Sequence, residues 1–261
     1  MAGGSISVVI ICFEAAATIR QTLVSAYALS DDIIVVDSGS TDDTVCIAES
    51  AGAKVLRTQW KGFGANKNLG NGHAQNDWIL SLDADEVLDA ELIAVIRALD
   101  LSNPKTVYKL RRLNYLNGKP VYHGEWGNDW TSRIFNRKAV QWNAAPVHER
   151  LQLPPDAHVK KVPGILHHYT ASSIGAYNNK LDAYADLVAQ KYFAKGEKGM
   201  TYKVYLSPLF SFLRSYVLYA GWMDRKEGWQ IAIAHARYSF RKYRRLAQLS
   251  RQPKETQTHN S

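Results

Sequence analysis

The first hundred residues alternate short apolar runs with amphipathic segments, and this alternation restricts the chain to few folds. Residues 8–12 form an uninterrupted apolar run, which is typical of a strand buried on both faces. The predicted strands are 8–12, 33–36, 53–57 and 78–82, and predicted helices begin at Ile19 and span 41–51, 62–74 and 90–99. This succession predicts an α/β fold with a doubly wound, mostly parallel sheet, in which ligands bind beyond the carboxyl ends of the strands.

After residue 105 the pattern changes to shorter strands and then to helices. Strands are predicted at 107–113, 131–136 and 140–142, and helices at 174–194, 206–219 and 228–249. The fold prediction is therefore an α/β domain followed by a C-terminal helical extension.

The excess positive charge is confined to the end of the chain. Residues 200–261 contain eleven Lys and Arg against three Asp and Glu, a net charge of +8 that equals the charge of the whole chain. A basic tail on a neutral body indicates contact with an anionic surface. Its aromatic and basic residues predict an interfacial anchor on anionic lipid, and the alternative is a helix packed on the body with its basic face in water.

The cysteines and the apolar runs bear on the compartment. Cys12 and Cys46 show no pairing pattern, which predicts free thiols in a reducing compartment. The apolar run at 6–13 is too short for a secretory leader. The sequence contains no stretch of about 18 apolar residues, so we expect no helix that spans a membrane. We therefore expect a cytoplasmic protein.

Carboxylates follow two of the buried strands. Asp83 and Asp85 stand one residue apart at the end of one strand, and hard divalent cations such as Mg²⁺ take one or two carboxylates together with substrate phosphates. Helix capping is the alternative for such a cluster, and Asp89 can do that here. Asp37 ends another strand, and because Ser40 or Thr41 can cap the next helix, Asp37 is left available for a nucleotide.

Two familiar nucleotide motifs are excluded. Gly62-Phe63-Gly64 begins like a dinucleotide fingerprint, but Lys67 occupies the place of the third glycine, and no phosphate-binding loop of the ATPase type occurs. Lys67 itself can reach a phosphate as a point charge, and the alternative is an exposed lysine on a polar helix.

The middle of the chain combines polar and aromatic residues. This composition suits sugars, which offer apolar ring faces and hydroxyl edges, and the alternative is an aromatic core with solvated charges. The residues concerned are His123, Glu125, Trp126, Asp129, Trp130, Arg133, Trp142, His148 and Glu149. His167 and His168 follow an apolar pair, and one of them can ligate a metal or simply pack.

Several of these segments resemble the family 2 glycosyltransferases of the GT-A fold. The resemblance is carried by 7–11, Glu14, 33–44 and 82–86. The segments 62–68, 133–135, Trp142, 147–149, 166–167 and 208–210, with Lys242-Tyr243, resemble the bacterial lipopolysaccharide core enzymes that add a hexose to inner-core heptose.

The resemblance implies inverting transfer of a hexose, with UDP-glucose as the expected donor and a saccharide or glycolipid as acceptor. It implies that Glu14 and Asp37 face the nucleobase and ribose, that Asp83 contacts the nucleotide, and that Asp85 ligates Mg²⁺ or Mn²⁺. His167 matches a position that completes the metal site. Glu149 matches the general base, with Asp129 as the second candidate.

The expected domains follow from the changes of pattern and charge along the chain. We predict a catalytic domain over 1–170, with a nucleotide-binding half at about 5–100 and an acceptor half at about 101–170. A basic, membrane-associating helical region is expected over 171–250 and a disordered tail over 251–261. The expected location is the inner face of the bacterial inner membrane.

Two other functions are compatible with parts of the sequence. A nucleotidyltransferase also uses metal-bound carboxylates on an α/β sheet, but it releases pyrophosphate instead of a nucleoside diphosphate. A nucleic-acid-binding protein would use the basic tail, but its backbone contacts require a broad basic face, and the body of this chain is neutral. We therefore expect no nucleic acid partner.

Overall fold

The computed structural model describes residues 5–143 and 149–251, which divide into two compact units. The first unit consists of the described parts of 1–113 and 128–169, and the second consists of the described parts of 114–127 and 170–261. The segment 114–127, which the sequence assigned to the acceptor half, thus belongs with the C-terminal helices. The tail predicted to be disordered lies, apart from Arg251, outside the described residues.

The observed elements follow the predicted alternation closely. In chain order they are β1 (Ile6–Cys12), α1 (Ile19–Tyr27), β2 (Ile33–Asp37), α2 (Thr44–Ser50), β3 (Lys54–Arg57), α3 (Phe63–His73), β4 (Trp78–Asp83), β5 (Glu86–Leu88), α4 (Ala90–Arg97), β6 (Thr106–Leu116), β7 (Lys119–Val121), β8 (Asp129–Asn136), β9 (Gln141–Trp142), β10 (Leu151–Gln152), β11 (His158–Ala171), α5 (Ile174–Ala194), α6 (Thr201–Leu213) and α7 (Arg225–Arg251).

The main sheet has a parallel half and an antiparallel half. Its order is β3-β2-β1-β4-β8-β6-β11-β5, with parallel pairing among the first four strands. The pairs β4 with β8, β6 with β8, and β11 with β5 are antiparallel. The α/β fold class with a C-terminal helical extension is confirmed. The sequence did not predict the short strands β5, β7 and β10 or the 14-residue strand β11.

The central strand β1 is apolar throughout because each of its faces has a core of its own. Val8 and Ile10 belong to one buried cluster, and Val9 and Ile11 belong to another. Successive side chains of a strand point to opposite faces, so a strand covered on both sides needs apolar residues at every position. This burial fixes β1 in the middle of the parallel half.

The carboxyl ends of β2 and β4 lie on either side of β1. Asp37 pairs in register with Cys12, and Asp83 pairs in register with Ile11. The two aspartates therefore stand at the same edge of the sheet, as predicted. Helix α4 begins at the predicted position, where the Asp89 carboxylate accepts a hydrogen bond of 2.6 Å from the backbone N–H of Leu92.

The helix predicted to begin at residue 41 begins instead at Thr44. The Asp42 carboxylate accepts a hydrogen bond of 3.0 Å from the backbone N–H of Thr44 and another from its hydroxyl. Because Asp42 folds the chain back on itself in this way, residues 38–43 form a loop at the carboxyl edge of the sheet.

The second unit consists of helices around a small core of its own. The ring of Trp126 meets that of Tyr177 edge to face, with centroids 5.0 Å apart. Helix α6 contains Pro208 and continues into a π-helical turn at Arg214–Leu218. Within the described ranges, every helix is too short or too polar to cross a lipid bilayer. The core residues are Leu116, Val121, Trp126, Tyr177, Ile231 and Ala234.

Candidate active site

Asp37 shapes the loop that follows β2. One of its carboxylate oxygens accepts hydrogen bonds from the backbone N–H groups of Gly39 and Ser40, at 3.0 and 3.1 Å, and the other accepts one from the Ser40 hydroxyl. The side chain is only 1% exposed. The expectation that Ser40 or Thr41 caps the next helix is therefore wrong, because α2 begins only at Thr44 and the Ser40 hydroxyl donates to Asp37 instead.

Glu14 joins this loop to the one that follows β1. Its Oε1 accepts hydrogen bonds from the backbone N–H and the hydroxyl of Thr41, at 2.8 and 3.0 Å, and its own N–H donates to the Ser40 hydroxyl at 2.9 Å. Glu14 has a φ of +49°, a backbone conformation that residues other than glycine rarely adopt. The structure thus brings Glu14 and Asp37 together around one loop, as their shared predicted role requires.

Asp83 ends β4 in a buried cluster of charges. Nη2 of Arg133 lies 2.7 Å from Oδ2 of Asp83 and also donates to Glu86, which is fully buried. Burial disfavours the charged carboxylate, but the positive charges of Arg133 and Lys67 outweigh it and hold the pKa of Asp83 well below its ordinary value. Asp83 is therefore an ionised acceptor whose position is fixed by Arg133.

Lys67 lies buried between two of the predicted site carboxylates. Its Nζ is 3.3 Å from Oδ1 of Asp83 and 3.3 Å from Oε1 of Glu149, and its side chain is 2% exposed. The ring of Trp142 lies beneath the ammonium, 4.6 Å from Nζ to the centroid. The alternative of an exposed lysine is excluded, and Lys67, Asp83 and Glu149 form one charged cluster.

The glycines before Lys67 let α3 pack closely against the backbone that follows β9. Gly62 has a φ of +100° at the start of the helix. A Cβ atom on Gly64 would lie 2.0 Å from the carbonyl oxygen of Asn143. The Gly62-Phe63-Gly64 sequence therefore serves the helix start and close backbone packing beside Lys67.

Asp129, the second candidate base, is held by Arg112. Nε of Arg112 lies 2.7 Å from Oδ2 of Asp129, and Nη1 of the same guanidinium lies 3.2 Å from Oε1 of Glu86. The buried Glu86 thus links Arg112 to Arg133. Asp129 and Glu149 belong to the same unit but pair with different cations, Arg112 and Lys67.

The imidazole of His168 lies beside the Asp85 carboxylate. Nε2 of His168 lies 3.4 Å from Oδ2 of Asp85, whose side chain is 30% exposed. Successive residues of β11 face opposite sides, so His167 projects from the other face of that strand. His168, beside Asp85, is therefore a candidate metal ligand in addition to the predicted His167.

The residues at Asp85 fit a divalent cation only in part. Across the described ranges, no three His, Cys, Asp or Glu side chains are grouped so that they could hold a metal ion. Mg²⁺ and Mn²⁺ need few protein ligands when substrate phosphates complete their coordination. Both take carboxylate oxygens, and Mn²⁺, the softer of the two, also accepts an imidazole nitrogen. Asp85 and His168 therefore suit a cation whose other ligands come from a bound diphosphate.

The polar and aromatic middle of the chain does not form one site. His123 pairs with Asp224 at 3.1 Å and Glu125 pairs with Arg214 at 2.7 Å, both within the second unit. Trp126 and Trp142 are buried, so these two favour the core alternative over sugar binding, whereas the buried Arg133 pairs with Asp83 and Glu86. Val147 and His148 lie outside the described residues.

The sequence analysis missed two buried or half-buried residues that hold the charged side chains of the site in place. Glu86 and Arg112 received no role, yet they connect Asp83, Arg133 and Asp129 in one buried network. The only signal was the presence of charged residues in otherwise apolar strand segments, where a buried charge requires a partner.

Over most of its length, the chain is similar in sequence to proteins described as glycosyltransferases. An uncharacterized glycosyltransferase of Rickettsia typhi is 27% identical over 94% of this chain and 86% of its own. The lipopolysaccharide core biosynthesis glycosyltransferase LpsC of Rhizobium meliloti is 26% identical over 90% of this chain and 89% of its own. A glucosyl-3-phosphoglycerate synthase structure from Mycobacterium tuberculosis, with Mn²⁺ and UDP-glucose, matches 44% of this chain at 25% identity with a TM-score of 0.37.

Residues 7–152, more than half of the chain, match the family described as glycosyl transferase family 2. The match covers the parallel half of the sheet, both loops joined by Glu14, and the cluster around Lys67. The predicted GT-A fold and enzyme class are thereby confirmed, and the chain belongs to the family 2 glycosyltransferases.

Proposed function

We propose that this chain is an inverting, metal-dependent hexosyltransferase that moves glucose from UDP-glucose to a saccharide acceptor. The observation that carries the proposal is the position of Lys67, buried between Asp83 and Glu149 at the carboxyl edge of the sheet. The nucleoside diphosphate leaving group gains negative charge as the bond between the anomeric carbon and the phosphate oxygen breaks. A fixed ammonium stabilises that charge.

The donor is expected to lie along the loops that Glu14 and Asp37 hold together. Those loops present backbone and hydroxyl groups of 38–42 at the edge of the sheet. In our proposal Lys67 contacts the diphosphate, and Asp85 and His168 hold Mg²⁺ or Mn²⁺. The cation, when bound, supplies Lewis-acid stabilisation of the diphosphate charge.

The acceptor hydroxyl must lose a proton as it attacks the anomeric carbon from the face opposite the diphosphate. Glu149 is our preferred general base, because Asp129 is held by Arg112 at 2.7 Å whereas Glu149 contacts Lys67 at 3.3 Å. When Lys67 turns to the diphosphate, the Glu149 carboxylate is released to accept the proton. A positioned base typically contributes about 10²- to 10⁴-fold to the rate.

The acceptor we propose is a lipopolysaccharide inner-core heptose or a similar glycolipid. The likeness to LpsC over most of both chains supports this class. Such an acceptor is held in a membrane, so we also propose that the enzyme works in the cytoplasm, peripherally on the inner face of the bacterial inner membrane.

A donor screen tests the proposal. The purified protein is incubated with Mn²⁺, a lipopolysaccharide acceptor lacking outer-core sugars, and UDP-glucose, UDP-galactose or a GDP-sugar in turn, and nucleotide release is measured. We expect UDP release from UDP-glucose and its loss with EDTA or in Asp85→Ala. Release of pyrophosphate from a nucleoside triphosphate and sugar phosphate would instead identify a nucleotidyltransferase.

A further inference from the structure

The second unit carries a row of exposed apolar side chains along α6 and the turn after it. Tyr205, Leu206, Leu209, Phe210, Val217 and Leu218 are each more than half exposed. We call these six residues the apolar ridge. In α6 they recur at the three- and four-residue spacing of one helix face, while Val204 on the inner side is buried.

A ridge of this kind needs a covering surface. Single exposed apolar side chains are ordinary, but contiguous ones mark an interaction site. Trp222 and Trp229, which follow in the same unit, are 57% and 48% exposed. Tryptophan and tyrosine are enriched where protein meets the lipid headgroups, because their rings are apolar and their polar edges are wet.

A basic groove runs beside the apolar ridge. It is a cavity of about 380 Å³ lined on one side by Leu206 and Phe210 and on the other by α7 residues that include Lys242. The Lys242 ammonium lies 5.5, 5.5 and 4.5 Å from the ring centroids of Tyr192, Tyr238 and Tyr243.

Lys242 is in a position that favours an anionic ligand. Burial lowers the pKa of this half-buried lysine. In the described part of the chain, no carboxylate lies within 4.0 Å of its Nζ, whereas Arg237 and Arg241 of the same helix pair with Asp182 and Asp186. An anion in the groove would compensate the Lys242 charge.

The charge of this region distinguishes between the surfaces that could cover the ridge. Residues 200–261 carry a net charge of +8, so a second copy of the chain would bring like charges together, whereas an anionic bilayer offers opposite charge beside an apolar layer. We propose that the apolar ridge inserts into the interfacial layer of an anionic phospholipid bilayer and that Lys242 contacts a lipid phosphate in the groove.

This inference rests on the membrane location in the proposed function, and it identifies the surface responsible. The ridge is one helix face with a basic groove alongside, so it would lie in the plane of the interface. Binding of this kind needs neither donor nor acceptor, and its test is therefore independent of the transfer reaction.

Vesicle sedimentation tests the proposal with no nucleotide or sugar present. The full chain is mixed with vesicles of phosphatidylcholine alone or with one third phosphatidylglycerol. We expect strong binding only to the anionic vesicles, weakened roughly tenfold or more in Leu209→Ser/Leu218→Ser. Val24→Ser, at an equally exposed apolar residue of α1 in the first unit, is the matched control and should bind like the parent.

The groove is tested by Lys242→Gln, which should weaken binding to anionic vesicles about fivefold, with Lys180→Gln on the exposed surface of α5 as its control. Tryptophan emission should be quenched by brominated lipid, and less so in Trp222→Phe. Circular dichroism must show that each variant is folded. Equal binding by all variants, or a dimer that the ridge substitutions dissociate in a protein that ignores vesicles, would overturn the proposal.

Discussion

Nζ of Lys67 lies 3.3 Å from Oε1 of Glu149, and both groups are largely withdrawn from water. Removing one member of a buried pair leaves its partner uncompensated, which costs about 3–5 kcal/mol of stability. Lys67 also neutralises Asp83. The cluster therefore contributes to the stability of the first unit as well as to its proposed chemistry.

Replacing Lys67 should be far more destabilising than replacing an exposed lysine. We expect Lys67→Met to lower the free energy of unfolding by about 3 kcal/mol, because Asp83 and Glu149 lose their shared cation. Lys138→Met removes a solvent-exposed pair with Asp77 and should change stability far less than Lys67→Met does. Urea denaturation followed by circular dichroism measures both, and equal losses would mean that the Lys67 cluster is solvated.

His235 should make the second unit less stable at mildly acidic pH. Burial lowers the pKa of its imidazole below the ordinary value for histidine, and its Nε2 lies 3.0 Å from the Tyr177 hydroxyl. Below about pH 6.5 the unfolded state binds a proton that the folded state resists, so stability falls as the pH falls through this window. The contribution is fully present only above the unfolded-state pKa.

His235→Gln keeps a polar group near the Tyr177 hydroxyl and removes the titration. Unfolding free energies measured between pH 5 and pH 8 should decline less steeply toward acid in this variant than in the parent. Parallel curves for the two proteins would show that His235 does not resist protonation in the folded state.

Successive side chains of β11 point to opposite faces of the sheet, and this alternation predicts which histidine supports activation by the metal. His168→Gln should raise the Mn²⁺ concentration needed for half-maximal transfer by about tenfold or more, because even the residues that only orient a metal's ligands typically contribute about 10- to 100-fold to affinity. The side chain of His167 projects from the opposite face of the strand, so His167→Gln should shift this concentration little. The activation curves of the two variants, measured with saturating donor, decide between the histidines.

The site residues that stand at the end of a predicted strand could be located from the sequence. The ion pairs between residues far apart in the sequence could not. Asp37 and Asp83 were placed correctly because parallel strands end at one edge of a sheet. The partnership of Glu86 with Arg112 and Arg133 joins residues 26 and 47 positions apart. Nothing in a periodicity specifies which arginine meets which carboxylate.

The sequence left the choice between His167 and His168 open for a related reason. A strand's two faces are distinguished only by its register against neighbours, and β11 pairs with β5, a three-residue strand that the sequence did not reveal. The start of α2 was misplaced because Asp42 competes with helix formation by binding the Thr44 amide locally.

Two glycines of α3 should respond oppositely to alanine. A Cβ on Gly70 would lie 2.4 Å from Cγ1 of Val9 on the central strand, whereas one on Gly72 would meet nothing within 4 Å. We expect Gly70→Ala to destabilise the fold by about 1–3 kcal/mol through overpacking. Gly72→Ala should stabilise it by about 0.4–1 kcal/mol, because alanine loses less backbone entropy on folding. Thermal unfolding of both variants tests how tightly α3, and with it Lys67, is seated on the sheet.

The two candidate bases should separate when catalysis and stability are measured together. Glu149→Gln is expected to lower kcat by about 10²-fold or more with little change in donor affinity, because only proton removal from the acceptor is lost. Asp129→Asn deprives Arg112 of a carboxylate at 2.7 Å and should lower the unfolding free energy more than Glu149→Gln does. Calorimetric titration with the nucleotide-sugar gives donor affinity, and product formation under saturating donor gives kcat. If Asp129→Asn abolishes turnover in a protein of unchanged stability, Asp129 is the base and Glu149 serves to orient Lys67.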